Sequence, residues 1–149
     1  MDYRCINFLD NILFVGKKIV SMHKFDFKGK TAIVTGGAQG FGLDIAKRFL
    51  DGGAKVFIWD IDEKLLKSVF DEIKNPNLNY NLVDVSKYDE VQKIVLKILE
   101  NQNIDILINN AGITGPTNPL WKYDVDLWNK IVQINLMGTF NCCRSIVPN

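Results

Sequence analysis

The sequence predicts an α/β fold, a doubly wound parallel sheet covered by helices on both faces in three layers. Two observations predict it. From Lys30 onward, short apolar runs rich in β-branched residues alternate with stretches of helical periodicity, with no hairpin signal between them. The first apolar run also passes straight into a glycine-rich loop, Thr35-Gly36-Gly37-Ala38-Gln39-Gly40-Phe41-Gly42, and from there into a helix. At 149 residues the chain has enough sequence for one domain with a core of its own.

The elements follow in order. Ala32-Ile33-Val34-Thr35 reads as a buried parallel strand, and Leu43, Ile45-Ala46 and Phe49-Leu50 mark a helix ended by Asp51-Gly52-Gly53. Lys55-Val56-Phe57-Ile58-Trp59 is the second strand, closed by Asp60. Leu65-Leu66, Val69-Phe70 and Ile73 give a helix that stops before Asn75-Pro76. Asn79 to Val83 is a weaker third strand, closed by Asp84. Ser86 is the expected N-cap of the next helix, with Asp89-Glu90 in its first turn. Ile104 to Ile108 is the fourth strand, ending in Asn109-Asn110-Ala111-Gly112. A loop carrying Gly115, Pro116 and Pro119 then leads to one long helix from about Asp124 to Ile146. Residues 1–24 read as an N-terminal extension, with Met22 as the expected start of the natural protein. The competing reading is an amphipathic interface helix around Phe8 to Val15. Residues 25–149 form the domain.

Composition excludes several classes of partner. Apolar residues make up 47% and charged residues 23%, with a net charge of +1 and no run of one sign, which argues against nucleic acid and polybasic membrane contact. No stretch approaches the ~20 apolar residues of a membrane span. Cys5, Cys142 and Cys143 show no metal or redox spacing, and His23 stands alone. No metal site is expected, and the pattern fits a reducing cytoplasm.

The chemistry centres on the loop. A strand turning through glycines into a helix offers bare backbone N–H groups and a positive dipole end to one point, which suits a diphosphate. The spacing here is Gly-x-x-x-Gly-x-Gly. Asp60 lies 24 positions after Gly36, at the carboxyl end of the second strand. A carboxylate there accepts from both hydroxyls of an adenosine ribose and repels a 2′-phosphate, favouring NAD over NADP. No cation answers a phosphate nearby, because Gln39 and Ile61 fill the neighbouring places. The alternative is that Asp60 only caps the helix beginning near Asp62. Asn135 lies among Ile131, Val132, Ile134 and Leu136, so its amide is expected to be buried and in need of partners. Asp105, near a strand's start, and Trp121, expected to pack the loop, are set aside.

Taken together, Thr35-Gly36-x-x-x-Gly40-x-Gly42, Asp60, Asp84-Val85, Asn109-Asn110-Ala111-Gly112 and Asn135 resemble the classical short-chain dehydrogenase/reductase family, over the chain from about Phe25 to its end. The resemblance implies a Rossmann-like sheet and hydride transfer between a nicotinamide cofactor and a small alcohol or carbonyl substrate. It implies that Gly36, Gly40, Phe41 and Gly42 hold the pyrophosphate, with Asp84 and Val85 against the adenine. Asn110, Ala111 and Gly112 would floor the nicotinamide ribose. Asn135 would disturb its helix and order a water in the proton relay, as a catalytic residue.

The family's Tyr-x-x-x-Lys pair has no counterpart here. Four residues after Tyr3, Tyr80, Tyr88 and Tyr123 stand Asn7, Asp84, Gln92 and Leu127. The resemblance covers roughly the first half of a family domain, with strand order 3-2-1-4 and a sheet truncated after its fourth strand and following helix. On this reading the fourth strand is an apolar edge that invites aggregation, and the chain alone is inactive. A full-length parent would be an NAD-dependent dehydrogenase assembling as a dimer or tetramer through the long helix. The other readings are a non-catalytic dinucleotide-binding module and a partner-binding fragment.

Overall fold

The computed structural model describes residues 25–149; the expectations for residues 1–24 lie outside the described residues. Four strands, β1 (Thr31–Thr35), β2 (Lys55–Asp60), β3 (Leu78–Leu82) and β4 (Ile106–Ile108), form one parallel sheet in the order β3-β2-β1-β4. The predicted Rossmann-like arrangement is the one observed. Its helices are α1 (Gly40–Asp51), α2 (Glu63–Ile73), α3 (Tyr88–Leu99), α4 (Val125–Val132) and α5 (Gly138–Ile146), with a π-helical segment, Gln133–Met137, joining the last two.

The period of two along each strand divides the core between the sheet's faces. Val34, Val56 and Ile58 point to one face and pack with Ala46 and Leu50 of α1 and Leu66 and Val69 of α2. Ile33, Phe57 and Trp59 point to the other and pack with Val91, Val95 and Ile98 of α3 and Cys142 and Ile146 of α5. Residues from Ile33 to Val34 and from Val56 to Trp59 are inaccessible or nearly so, apart from Phe57 at 8%. Burying each such side chain contributes about 1.5–3 kcal/mol, so β1 and β2 anchor the sheet. Burial pushes the Cys142 thiol up to about 12, with the neighbouring Cys143 adding to the effect. Cys142 therefore behaves as a core residue.

Five sequence expectations change. β3 runs Leu78–Leu82, one residue early, and Val83 N closes its end by donating to Asp60 O at 3.0 Å. β4 is only Ile106–Ile108; Asp105 just before it donates its N–H to Thr31 O at 3.0 Å, and its carboxylate accepts from Lys30 Nζ at 2.7 Å and from Thr31 N at 2.9 Å, clasping the start of β1. Lys87, not Ser86, is the N-cap of α3, and the Ser86 hydroxyl instead donates to Asp84 Oδ1 at 2.6 Å. The long helix is interrupted: its middle turn is π rather than α. Trp121 is 84% exposed, so it does not pack the loop.

Candidate dinucleotide-binding cleft

The carboxyl ends of β1, β2, β3 and β4 open onto a cleft of about 280 Å³ lined by Gly36, Gln39, Trp59, Asp60, Ile61, Val83, Asp84, Val85, Asn110, Ala111, Gly112, Ile113 and Ile134. Each strand delivers residues to it because a parallel sheet puts all four carboxyl ends on one edge. The sequence named nine of these positions. Trp59, Val83, Ile113 and Ile134 were missed, because an apolar residue at a strand end or on a helix gives the same signal whether it meets a ligand or the core.

Gly40, Phe41 and Gly42 do not line the cleft; they form the first turn of α1 beside it. The Phe41 side chain is 84% exposed. The N-cap of α1, Gln39, makes no side-chain capping bond, and its first turn contains no acidic residue. By contrast α2 is capped by Asp62, which accepts from Lys64 N and Leu65 N, and α4 by Asp124, which accepts from Leu127 N. The amides at the head of α1 therefore keep their donor capacity and positive dipole end.

The loop preceding α1 is held by its neighbours on both sides. Gly37 N donates to Trp59 O at 3.1 Å. Thr35 Oγ1 donates to Ile108 O and accepts from Asn110 N and Ala111 N, both at 3.0 Å. Asn110 Nδ2 donates to Thr35 O and Gly36 O. Gly36 has φ +62°, and a Cβ there would lie 3.0 Å from Ala111 Cα, so both conformation and close approach require glycine.

Asp60 is fixed by three backbone amides. Its Oδ2 accepts from Ala38 N at 3.2 Å, and its Oδ1 accepts from Ile61 N at 2.8 Å and Asp62 N at 3.2 Å. The cap of α2 is Asp62 rather than Asp60. Asp84 is similarly braced: Oδ1 accepts from Ser86 N and Oγ, while Lys87 Nζ stands 3.7 Å from Oδ2. Lys87 also bonds Glu90 Oε1 at 3.0 Å, which raises the ammonium's pKa above its ordinary value; the bond to Lys87, then that from Asp84 N, lowers the Glu90 carboxyl's.

Asn135 sits in the π segment, so the helix is disturbed at that residue. Its amide is not buried, against expectation, yet it is engaged at both ends: Oδ1 accepts from Ile113 N at 2.9 Å and Nδ2 donates to Ile113 O at 3.0 Å. The carbonyl of Asn135 accepts from Thr139 Oγ1 at 3.0 Å. Asn135 thus borders the cleft by pinning Ile113 rather than by lining it.

Residues 30–149 match the family model described as short chain dehydrogenase. The chain belongs to the short-chain dehydrogenase family. Among similar short-chain dehydrogenases, the 3-oxoacyl-[acyl-carrier-protein] reductase FabG of Chlamydia muridarum is 39% identical over 79% of this chain and 49% of its own length. The 2-dehydro-3-deoxy-L-rhamnonate dehydrogenase (NAD(+)) of a Sphingomonas species is 37% identical over 82% of this chain and 49% of its own. A solved 3-ketoacyl-(acyl-carrier-protein) reductase from Brucella melitensis, complexed with NADH, superposes with a TM-score of 0.78 at 35% identity, covering 83% of this chain and 51% of that one. The chain spans about half the length of the curated relatives it matches. Among the described residues, no helix is long and apolar enough to cross a membrane, and no group of three acidic, cysteine or histidine side chains is arranged to hold a metal ion.

Proposed function

We propose that this chain is the NAD-binding part of an oxidoreductase that moves hydride between nicotinamide and an alcohol or carbonyl carbon. The observation that carries the reading is the Asp60 carboxylate, held by Ala38, Ile61 and Asp62 amides beside the glycine loop. A carboxylate fixed in that place presents an acceptor to ribose hydroxyls and a negative charge to any 2′-phosphate, so it selects NAD. The uncapped head of α1 and the bare loop amides fit the pyrophosphate. Gly36, Gly40, Phe41 and Gly42 would hold it through main-chain N–H groups, with Gln39 and Ile61 flanking and adding no positive charge. Asp84 and Val85 would meet the adenine. Asn110, Ala111 and Gly112 would form the floor for the nicotinamide ribose, Asn110 acting through its hold on Thr35 and Gly36.

Once bound, the nicotinamide supplies or accepts the hydride. The chain's own residues bind, orient and shield it. None of the described tyrosines has a lysine four residues on. Tyr80 packs on Phe70, Tyr88 lies under Arg144, and Tyr123 packs on Trp128. The 149-residue chain is therefore proposed to bind the dinucleotide without turning it over, and Asn135 to serve the relay by setting Ile113. A dimer or tetramer of the whole enzyme is part of the same proposal, supported by the exposed Leu136, Phe140 and Val147 along the last helical run. So is a cytoplasmic setting, which the free thiols Cys142 and Cys143 accord with.

Calorimetric titration of the 149-residue chain with NAD and with NADP tests this. Saturable NAD binding with NADP at least about tenfold weaker is expected, a difference of about 1.4 kcal/mol. Equal or tighter NADP binding, or no binding of either, overturns it.

A further inference from the structure

The adenine-side wall of the cleft is set from behind by a helix that never reaches the cleft. Val85 lines the cleft and is itself 7% exposed. Gly138, the first residue of α5, stands so close that a Cβ there would fall 2.7 Å from Val85 Cγ2 and 3.2 Å from Val85 Cβ. Three residues on, on the same helix face, the 5% exposed Asn141 donates Nδ2 to Val85 O at 3.0 Å. Helix α5 thus touches the side chain of Val85 and tethers its carbonyl. The π segment that feeds α5 carries Asn135, whose amide grips both backbone groups of Ile113 on the opposite side of the cleft. One continuous helical run therefore holds two walls.

We propose that Gly138 and Asn141 are positioning residues for the dinucleotide, fixing how far Val85 projects into the adenine side of the cleft. The inference rests on the NAD reading above. Its physical content is steric. A methyl group at 138 requires movement, because real Cβ contacts do not come within 3.0 Å. The Asn141 tether restrains the Val85 backbone from retreating along α5, so the side chain yields toward the cleft. Packed interiors transmit such displacements rather than absorbing them.

The test is a double-mutant cycle on the full 149-residue chain, read as NAD affinity by calorimetry with folding followed by circular dichroism. Gly138→Ala is expected to weaken NAD at least about tenfold, the range that overpacking produces. Removing the obstructed methyls should relieve it, so Gly138→Ala with Val85→Ala binds within about twofold of Val85→Ala alone. If Gly138→Ala does not fold, recovery of both fold and affinity in the double variant supports the proposal, and failure to recover overturns it. Unchanged affinity in Gly138→Ala, or losses that simply add, also overturn it. Absence of NAD binding by the unmodified chain overturns the cofactor reading itself and is thereby told apart from failure of the positioning role.

Discussion

The side chain of Asn110 holds the backbone of Gly36: its Nδ2 donates to Gly36 O at 3.1 Å, 74 residues back in the chain, and to Thr35 O at 3.0 Å, 75 residues back. A single amide at the end of β4 thereby fixes the entry to the glycine loop. Replacing it by Leu leaves two carbonyls without their partner. Asn110→Leu should cost about 2–3 kcal/mol, the penalty for orphaned polar groups in a packed site. Its NAD affinity should fall in parallel. Urea unfolding monitored by circular dichroism, alongside titration, checks both.

Gly42 and Gly40 occupy the same turn but differ in what a side chain would meet. A Cβ at Gly42 would collide with Gly36 O and lie 2.5 Å from Asn110 Nδ2, whereas nothing lies within 4 Å of one at Gly40. Gly42→Ala should lower stability by about 3 kcal/mol or more, as forced overpacking against backbone does. Gly40→Ala pays only for its φ of +54°, about 1–2 kcal/mol. Thermal melts of the two variants should separate clearly, Gly42→Ala being the lower.

Asp60→Asn removes the charge and keeps one acceptor oxygen for the Ile61 and Asp62 amides, while the NH2 in place of Oδ2 gives up the bond from Ala38 N. The expected outcome is a fall of about tenfold or more in the NAD-to-NADP affinity ratio, chiefly through tighter NADP binding. A ratio that stays put would assign discrimination to another residue.

The Asp105 carboxyl sits below its ordinary pKa of 3.8, held first by the Lys30 ammonium and then by the Thr31 amide. The folded state thus favours the charged form. Its contribution is present above the ordinary value and is lost as pH falls through the depressed one. Asp105→Asn should be less stable than the parent at about pH 7, and the gap should close towards about pH 3. Paired unfolding curves at the two pH values measure the gap. The pair is largely exposed, so high salt should narrow the gap as well.

Much of the cleft was legible because parallel strands deliver their last residues to one edge. Asp60, Asp84-Val85 and Asn110 to Gly112 each follow a recognisable apolar run, and the glycine spacing marks the helix start. Trp59 and Val83 were not legible, since a strand-end apolar side chain looks the same whether it meets core or ligand. The expected cap, Ser86, instead stands one residue before the cap position, which Lys87 fills, and its hydroxyl and N–H both donate back to Asp84 Oδ1. Asn135 was found by its incongruous setting, but its partner Ile113 lies 22 residues away and no local pattern names it. The close approach of Gly138 to Val85 likewise exists only once α5 has docked.

The π turn at Gln133–Met137 makes chain length here a matter of angle. Each residue of an α-helix advances the helix by about 100°, and a π turn absorbs one residue more than an α turn does. Deleting one residue from this segment would let the run close as regular α-helix while α5 keeps its present angle to α4, with Gly138 and Asn141 still against Val85 and Cys142 still in the core. What the deletion would remove is the turn from which the Asn135 amide reaches both backbone groups of Ile113. The same deletion inside α5 has no such slack, and would turn every later residue by about 100°.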